Sequence, residues 1–351
     1  MRLETIHPNE LGEAQAAQWR AHQRAGTFSP YLTPEWAQVV GAARPAARVV
    51  IINDGQGFFG AQRLSRFTAM GLGAPIADYQ GVVGAEDLEL SPPDLCRALG
   101  VGRIDLTHTP QGQSLFAPAG AEGSWIAETQ SSPDLYEAAL KARRAEFVRQ
   151  TEKKARKLER ERGPIAFRAQ SSERTDFDTL MAWKNDQLKR SGQPEIWARQ
   201  WVREVLESCY ARTDTRFRGA LFTMHAGDKL AAGAFCLRSA HVLHFWIVAH
   251  DSAYDSYSPG VQLARRIIHW AADQGIGEVD FGPGNYQYKR QLSTSQRMLE
   301  WGVASGVSLA GAVRHGEFAL RSGIERLPQP RLAALPGKAM RRLDLMRALA
   351  A

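Results

Sequence analysis

The sequence has little cysteine and no long apolar run. Cys96, Cys209 and Cys236 lie far apart and lack the Cys-x-x-Cys or Cys-x-x-His spacing of a zinc site, so we expect buried free thiols rather than disulfides or a structural metal. No segment approaches the roughly 20 apolar residues that cross a bilayer, and the first residues lack the apolar stretch of a signal peptide. These absences predict a cytoplasmic protein.

The sequence has no net positive charge outside two segments of the chain. The formal net charge is +7. Residues 141–162 carry ten Lys or Arg against four Glu, and residues 326–351 carry six Lys or Arg against one Asp; these segments contribute +6 and +5, and the remainder carries −4. A protein that coats nucleic acid would spread its basic residues more widely. Each basic segment therefore needs its own explanation.

The length and the element pattern indicate two domains. A chain of 351 residues exceeds what one hydrophobic core usually organises. Residues 131–162 contain no glycine, Pro133 follows a serine cap, and Gly163 ends the segment, so one long helix is predicted there. We expect a basic connecting helix over residues 131–163, domains over residues 1–130 and 164–325, and a basic tail over residues 326–351.

The second half predicts an antiparallel meander, a helix and one further strand. Three apolar or alternating runs are separated by short polar turns, a helix opens at Ser258-Pro259-Gly260, and Gly275 ends that helix before the last strand. A β-β-β-α-β order with a right-handed return gives a mixed α+β sheet. The predicted elements cover residues 217–224, 230–237, 241–249, 258–274 and 278–281.

The start of that helix is a candidate phosphate site. A helix N-terminus offers free backbone N–H groups and a partial positive charge. Ser258 would cap the helix, and Gly260 would let a ligand approach the backbone closely. Ser-Pro is also an ordinary way to start a helix, so a purely structural role stays open.

Two further groups of residues suggest a cleft. Asp280 stands at the end of the last strand, and Lys289 follows two glycines, an arrangement that can present an acid and a base. Alternatively, Asp280 caps the turn and Lys289 is solvated. Alternation along residues 241–250 places His244, Trp246 and His250 on one face and an entirely apolar set on the other. Either histidine is therefore a candidate active-site residue.

Residues 253–263, followed by residues 279–284 and by Tyr288-Lys289, resemble the GNAT-type acyltransferases of the CelD/BcsL group. Trp183-Lys184, the glutamine three residues later and the basic residues 156–159 also match, and Asp78-Tyr79 fits in the first half. The resemblance implies an α+β fold of tandem GNAT-like domains, with mixed, mostly antiparallel sheets flanked by helices. It also implies that the N-terminal copy is degenerate and the second copy is catalytic.

The resemblance also implies roles for particular residues. Acyl-CoA would be a cosubstrate rather than a permanently bound cofactor, no metal would be required, and the donor would bind at Ser258, Pro259, Gly260 and Val261. Catalysis would rest on Asp280, Lys289 and His244. Substrate contacts would come from Trp183, Lys184, Gln187, Trp246, Tyr254, Tyr257, Tyr288, Asp78 and Tyr79. One departure is that the helix start carries only Gly260 where ordinary GNAT domains have a Gln/Arg-x-x-Gly-x-Gly/Ala loop.

Three functions stay open at this point. The first is acyl transfer from acyl-CoA to a sugar or lipid-linked saccharide in cell-surface polysaccharide biosynthesis, with Asp280 as the base and Lys289 anchoring a phosphate or stabilising charge. The second is a Fem-type transferase that uses aminoacyl-tRNA and contacts the RNA through residues 141–162. The third is a non-catalytic component of a polysaccharide synthase.

The basic C-terminal tail suggests a peripheral contact with the inner face of the membrane. Apolar residues recur there at three- and four-residue spacing beside basic ones, and the set is Leu335, Ala339, Leu343, Met346 and Ala350. A helix packed on its own domain would show the same pattern.

Overall fold

The computed structural model describes residues 1–24, 27–113, 115–326 and 335–350. The chain forms two compact units, which we call unit 1 (residues 1–122 and 298–351) and unit 2 (residues 123–297). This division differs from the predicted boundaries. The chain passes into unit 2 within strand β7 (Gly120–Glu128) and returns to unit 1 within strand β13 (Ser295–Ser305), because the later part of β13 pairs with a strand of the N-terminal segment.

Unit 1 contains a sheet in the order β1-β2-β3-β4-β6-β13, with β5 paired to β3. Its pairs are antiparallel except β4 with β6, which run parallel. Strands β2 and β3 form an antiparallel hairpin that is joined by a turn at residues 53–56. The strands besides β13 are β1 (Leu3–Ile6), β2 (Ala47–Ile52), β3 (Gly57–Arg63), β4 (Thr68–Gly71), β5 (Val82–Gly84) and β6 (Arg103–Pro110).

Two helices of unit 1 begin at a hydroxyl side chain that caps them. The Thr33 hydroxyl accepts a hydrogen bond from the backbone N–H of Trp36 at 3.1 Å and starts α2, and the Ser91 hydroxyl caps α3 in the same way. The helices described are α1 (Glu13–Ala21), α2 (Pro34–Ala43), α3 (Pro92–Leu99), α9 (Leu309–Glu325) and α10 (Leu335–Ala350). Residues 327–334, which belong to the predicted tail of residues 326–351, lie outside the described residues.

Unit 2 contains a sheet in the order β7-β12-β11-β10-β9-β8. The predicted meander is confirmed by the antiparallel pairs β9–β10 and β10–β11, and β12 runs parallel to β11. The strands besides β7 are β8 (Ile165–Arg168), β9 (Phe217–Ala226), β10 (Lys229–Ser239), β11 (Val242–His250) and β12 (Glu278–Asp280).

The long basic helix is present in unit 2 as α4 (Pro133–Arg162). The Ser132 hydroxyl accepts from the backbone N–H of Leu135, Gly163 ends the helix, and the backbone kinks at Arg144. The other helices are α5 (Arg174–Arg190), α6 (Gln200–Ala211), α7 (Pro259–Asp273) and α8 (Gln287–Leu292). Helices α4 and α7 pack with the meander around one apolar core.

The two units repeat one topology. In unit 1 the meander β2–β3–β4 is followed by α3 and by β6 parallel to β4, and in unit 2 the meander β9–β10–β11 is followed by α7 and by β12 parallel to β11. The repeat is visible in the sequence, because residues 100–106 read GVGRIDL and residues 275–281 read GIGEVDF. Asp105 and Asp280 are each the last residue of the parallel pairing.

The predicted α+β class, with mostly antiparallel sheets flanked by helices, is confirmed by this topology. The three cysteines are buried and free, as predicted. Burial raises the pKa of the Cys209 and Cys236 thiols, which keeps these two thiols protonated. Within the described ranges, no helix combines the length and the hydrophobicity that a bilayer crossing requires.

Candidate functional site

The parallel strands of unit 2 separate after only three residue pairs. β11 and β12 pair from Val242 opposite Glu278 to His244 opposite Asp280, whereas β11 continues to His250. After Asp280 the chain stays with β7, since the Phe281 N–H donates to the Trp125 carbonyl at 2.8 Å. The edge of β11 beyond His244 is thus left without β12 as a partner, and such an edge can pair with an extended ligand.

Asp280 is the centre of a buried polar network at the point of separation. Its Oδ1 accepts hydrogen bonds from the Ser124 hydroxyl at 2.6 Å and from the Gly282 N–H at 2.8 Å. Its Oδ2 lies 3.5 Å from His244 Nδ1 and 4.0 Å from Arg297 Nη1. Asp280 is 1% exposed and His244 is fully buried, so the pair lies beneath the surface at the point where the strands separate.

Lys289 contacts the loop that follows Asp280. Its ammonium donates to the carbonyls of Pro283 at 2.7 Å and Gly282 at 3.3 Å and lies 5.4 Å from the centre of the Tyr286 ring. The structure therefore brings Asp280 and Lys289 to the same residue, Gly282, one through its N–H and the other through its carbonyl. Lys289 is buried, so the expectation of a solvated lysine is wrong.

The predicted alternation along β11 holds only as far as Phe245. The register with β10 skips Trp246, which marks a β-bulge and reverses the faces beyond it. Val248, rather than Ile247, packs with Leu243 and Phe245 in the core cluster. His244 and Trp246 are buried whereas His250 is exposed, so the three residues do not line one surface together.

The N-terminus of α7 lies beside the far end of β11. A Cβ added at Gly260 would meet His250 Nδ1 at 3.9 Å and otherwise open space, so the backbone there is accessible. Ser258 precedes the helix with a left-handed backbone, φ 52°, and its side chain does not cap the helix. Instead the Ser258 hydroxyl accepts a hydrogen bond from Lys154 Nζ of α4 at 2.8 Å. A cation thus adds to the positive end of the helix dipole.

The tyrosines of the 253–263 motif face α4 rather than an open cleft. Tyr254 and Tyr257 are buried, and the Tyr257 hydroxyl donates to Glu161 Oε2 at 2.7 Å. Lys157 Nζ lies 5.5 Å from the centre of the Tyr257 ring, and Arg162 Cζ lies 5.6 Å from that of Tyr254. These contacts fix the basic C-terminal half of α4 next to the start of α7. Pro259 and Val261 lie in the first turn of α7.

The remaining predicted substrate residues lie in several places. In α5, Lys184 Nζ donates to exposed Gln187 at 3.1 Å, burial lowers the pKa of Lys184, and Trp183 is half-buried. Trp246 packs edge-on against Trp197, at 5.7 Å between ring centres. Tyr288 is half-buried against the core, where burial raises its pKa. Asp78 and Tyr79 belong to unit 1, whereas the others belong to unit 2.

Three residues of the site escaped the sequence reasoning. Ser124, Arg297 and Lys154 reach Asp280 or Ser258 from elements far away in the chain, and no local motif surrounds them. The repeat of residues 100–106 in residues 275–281 is a second signal in the sequence that points to Asp280. Among the described side chains, no group of three or more His, Cys, Asp or Glu is placed to hold a metal ion.

The comparisons with known proteins agree with this geometry. Residues 142–290 match the model of an acetyltransferase (GNAT) domain family, and this segment contains the strand separation and the start of α7. No curated protein sequence matches the chain. The family match supports an acyltransferase domain in unit 2 and leaves the donor and the acceptor open.

Three solved structures share the fold across most of the chain. FemX has a TM-score of 0.54 at 10% identity, covering 86% of this chain and 96% of its own. A conserved protein of unknown function from Bacteroides thetaiotaomicron has a TM-score of 0.53 at 9% identity, and the match covers 86% of this chain and 100% of that protein's chain. L-PGS from Bacillus licheniformis has a TM-score of 0.50 at 9% identity, and the match covers 81% of this chain and 91% of that protein's chain. At such low identity these likenesses establish the fold alone.

Proposed function

We propose that the chain is an acyltransferase whose unit 2 binds an activated acyl donor at the separation of β11 and β12. The observation that carries the proposal is the alignment of three features along one strand. Strand β12 separates from β11 after His244, and the buried His244–Asp280 pair lies at that point. The start of α7 lies at the C-terminal end of β11, beside His250.

These features suit a donor of the acyl-CoA kind. The amide-containing arm of coenzyme A can hydrogen-bond to an open strand edge as an added strand does. A diphosphate fits the free N–H groups at the start of α7, where Lys154 supplies a further positive charge. Although the helix start has one glycine where ordinary GNAT domains have a Gln/Arg-x-x-Gly-x-Gly/Ala loop, Gly260 by itself leaves the backbone accessible to a ligand.

Proton transfer is assigned to His244 and Asp280 acting together. Acyl transfer requires the acceptor to lose a proton as it attacks. Asp280 already accepts two hydrogen bonds through Oδ1, while Oδ2 faces the imidazole at 3.5 Å. In this arrangement the carboxylate orients the imidazole and stabilises its charged form, as in other base–carboxylate pairs. Lys289 contacts the loop that follows Asp280 through the carbonyls of Gly282 and Pro283. That Lys289 also anchors a phosphate of the acceptor stays a prediction.

The proposed acceptor is an amine or hydroxyl of a sugar or lipid-linked saccharide, in cell-surface polysaccharide biosynthesis. The support is the resemblance together with an exposed surface of unit 1. Leu343 and Met346 of α10 are 53% and 57% exposed, and basic residues flank them at Arg342 and Arg347. An apolar strip edged by positive charge suits reversible contact with an anionic bilayer, which would give access to a lipid-borne acceptor.

Coenzyme A binding tests the donor. We expect coenzyme A and acetyl-CoA to raise the melting temperature of the full chain, because a ligand that binds only the folded state stabilises it. Gly260→Glu places a bulky negative group in open space at the start of α7, so it should abolish the shift without unfolding the protein.

Gln274→Glu is the matched control, because it adds the same charge at the far end of α7. It should retain the shift. An unchanged shift in Gly260→Glu, or no shift in the wild type, would contradict acyl-CoA as the donor.

A second candidate function is transfer from aminoacyl-tRNA, favoured by the exposed cations of α4. Lys153, Arg156, Lys157 and Arg160 are exposed along its C-terminal half. Phosphate contacts of this kind give binding that falls steeply with salt. Filter binding of charged and uncharged tRNA between 50 and 200 mM salt, about the range over which such contacts weaken most visibly, checks this alternative. Salt-independent or undetectable binding would exclude it.

A further inference from the structure

Unit 1 holds a cavity of about 280 Å³ at the place where its own parallel strands separate. β4 and β6 pair only from Thr68 opposite Arg103 to Met70 opposite Asp105. Met70 and the residues that continue β6 beyond Asp105 line the cavity, and α9 and α10 close it. Its position within unit 1 therefore repeats that of the donor site within unit 2.

The walls of the cavity are mainly apolar. Leu106 and Ala77 come from the sheet side, Trp301 from β13, Phe318 from α9 and Met340 from α10. The Trp301 and Phe318 rings meet edge-on at 5.5 Å. A space of this size and composition lies at the lower end of the range for small-molecule sites, about 300 Å³ and upward, and favours an apolar chain over water.

Most charges that line the cavity are compensated within unit 1. Arg314 pairs with Asp105 at 3.3 Å and also with Glu317 and Asp344, and Arg321 pairs with Glu325 at 2.7 Å. His108 lies 3.4 Å from Glu122.

Arg341 differs from these lining residues. It is exposed, and in the part of the chain that the structure describes it makes no direct ion pair. The hydrogen bond from His108 and the charge of Arg341 together lower the pKa of Glu122, so Arg341 acts on this carboxylate only at longer range. Its guanidinium thus stays accessible to a direct anionic contact at the rim of an apolar cavity.

We propose that this cavity binds a single-chain amphiphile with one anionic head group, the chain between the sheet and α10 and the head group at Arg341. A diphosphate-bearing donor does not suit this unit. The first turn of α3 contains Pro92 and Pro93, which lack N–H groups, and the carboxylate of Asp94. This site is separate from acyl transfer in unit 2 and does not depend on it.

Isothermal titration of the full chain with dodecanoate, kept below its micellar concentration, tests the site. Ala77→Phe and Met340→Phe fill the cavity from opposite sides, and each should weaken binding by about tenfold or more, since several methylene groups lose their place. Ala77 is almost fully buried, so Met340→Phe, at a half-buried position, keeps the test valid where the first variant fails to fold. Leu343→Phe adds the same ring to the exposed face of α10 and should leave the affinity unchanged.

The head-group contact is tested separately. Arg341→Gln should weaken dodecanoate about fivefold and leave dodecanol unaffected, whereas Arg342→Gln, next to it and outside the cavity lining, should change neither. Loss of binding to phosphatidylglycerol vesicles in Met340→Phe would identify a membrane lipid as the source of the chain, and retained vesicle binding a free acyl anion. Absence of dodecanoate binding to the wild type, or wild-type affinity in both cavity-filling variants, overturns the proposal.

Discussion

Lys154 offers the sharpest test of the donor site, because its contact with Ser258 places a positive charge at the start of α7. Its Nζ donates to the Ser258 hydroxyl at 2.8 Å, and its side chain is half-buried. Lys154→Gln removes the charge and keeps a side chain of similar length. The substitution should therefore weaken the binding of a phosphate-bearing donor while the fold is retained.

The expected size follows from Coulomb's law. A phosphate held by the first N–H groups of α7 would lie about 5 Å from Nζ, which gives about 0.8 kcal/mol per charge pair in water and about 3 kcal/mol at an effective dielectric constant of 20. Since Lys154 is only half-buried, we expect a loss of roughly 1–3 kcal/mol. That loss corresponds to a dissociation constant for coenzyme A raised about 5- to 150-fold.

Lys153→Gln provides the matched control for this experiment. Lys153 is the preceding residue of α4, is exposed and carries the same charge, so its loss should change the affinity by about twofold or less. Titration of both variants with coenzyme A and with pantetheine, which lacks phosphate, isolates the electrostatic effect. Equal coenzyme A affinities in the two variants, or an equal loss for pantetheine, would refute the reasoning.

Three other predictions concern Asp280, the ion pairs of Glu137 in α4, and the exposed apolar residues of α10. Asp280→Asn should lower turnover about 100-fold, because it leaves His244 without its carboxylate; activity that survives in a folded variant, measured by steady-state kinetics, would make Asp280 purely structural. Although burial raises the pKa of Glu137, the hydrogen bond from His269 and the charge of Arg265 lower it overall. Glu137→Gln should therefore cost about 1 kcal/mol in urea unfolding at pH 7, and the cost should vanish as the pH falls through the lowered pKa, whereas a pH-independent difference would contradict this ion pairing. The double substitution of Leu343 and Met346 by serine should remove co-sedimentation with anionic vesicles at low salt, and binding equal to the wild type would exclude α10 as the contact.

Local signals explain why parts of the fold could be predicted. The bounds of α4 follow from a serine cap, a proline in the first turn and Gly163 at the end, which act within a few residues. The meander of unit 2 follows from alternating runs and short turns in the same way. Local signals could not predict that residues 298–351 return to unit 1, because the return depends on the pairing of β13 with β6, two strands that lie far apart in the sequence.

The site was predicted less well than the fold for a related reason. Asp280 was identified, but its burial depends on Ser124, 156 residues away, and on His244 in a neighbouring strand. The bulge at Trp246 breaks the two-residue period on which the predicted faces of β11 depended. Neither the distant contact partners of a residue nor a β-bulge can be recognised from the local pattern of apolar and polar residues.

The two equivalent aspartates indicate why one unit would carry the chemistry and the other a binding site. Asp280 faces an imidazole, which can accept and release a proton near neutral pH. Asp105 faces the guanidinium groups of Arg103 and Arg314 at 3.2 and 3.3 Å, and neither can accept a proton. Arg314 is carried by α9, the same helix that helps to close the cavity of unit 1. Met70 stands opposite Asp105 where His244 stands opposite Asp280, so the repeated position in unit 1 lacks the imidazole and borders an apolar space instead. We infer from this a division of labour between catalysis in unit 2 and amphiphile binding in unit 1.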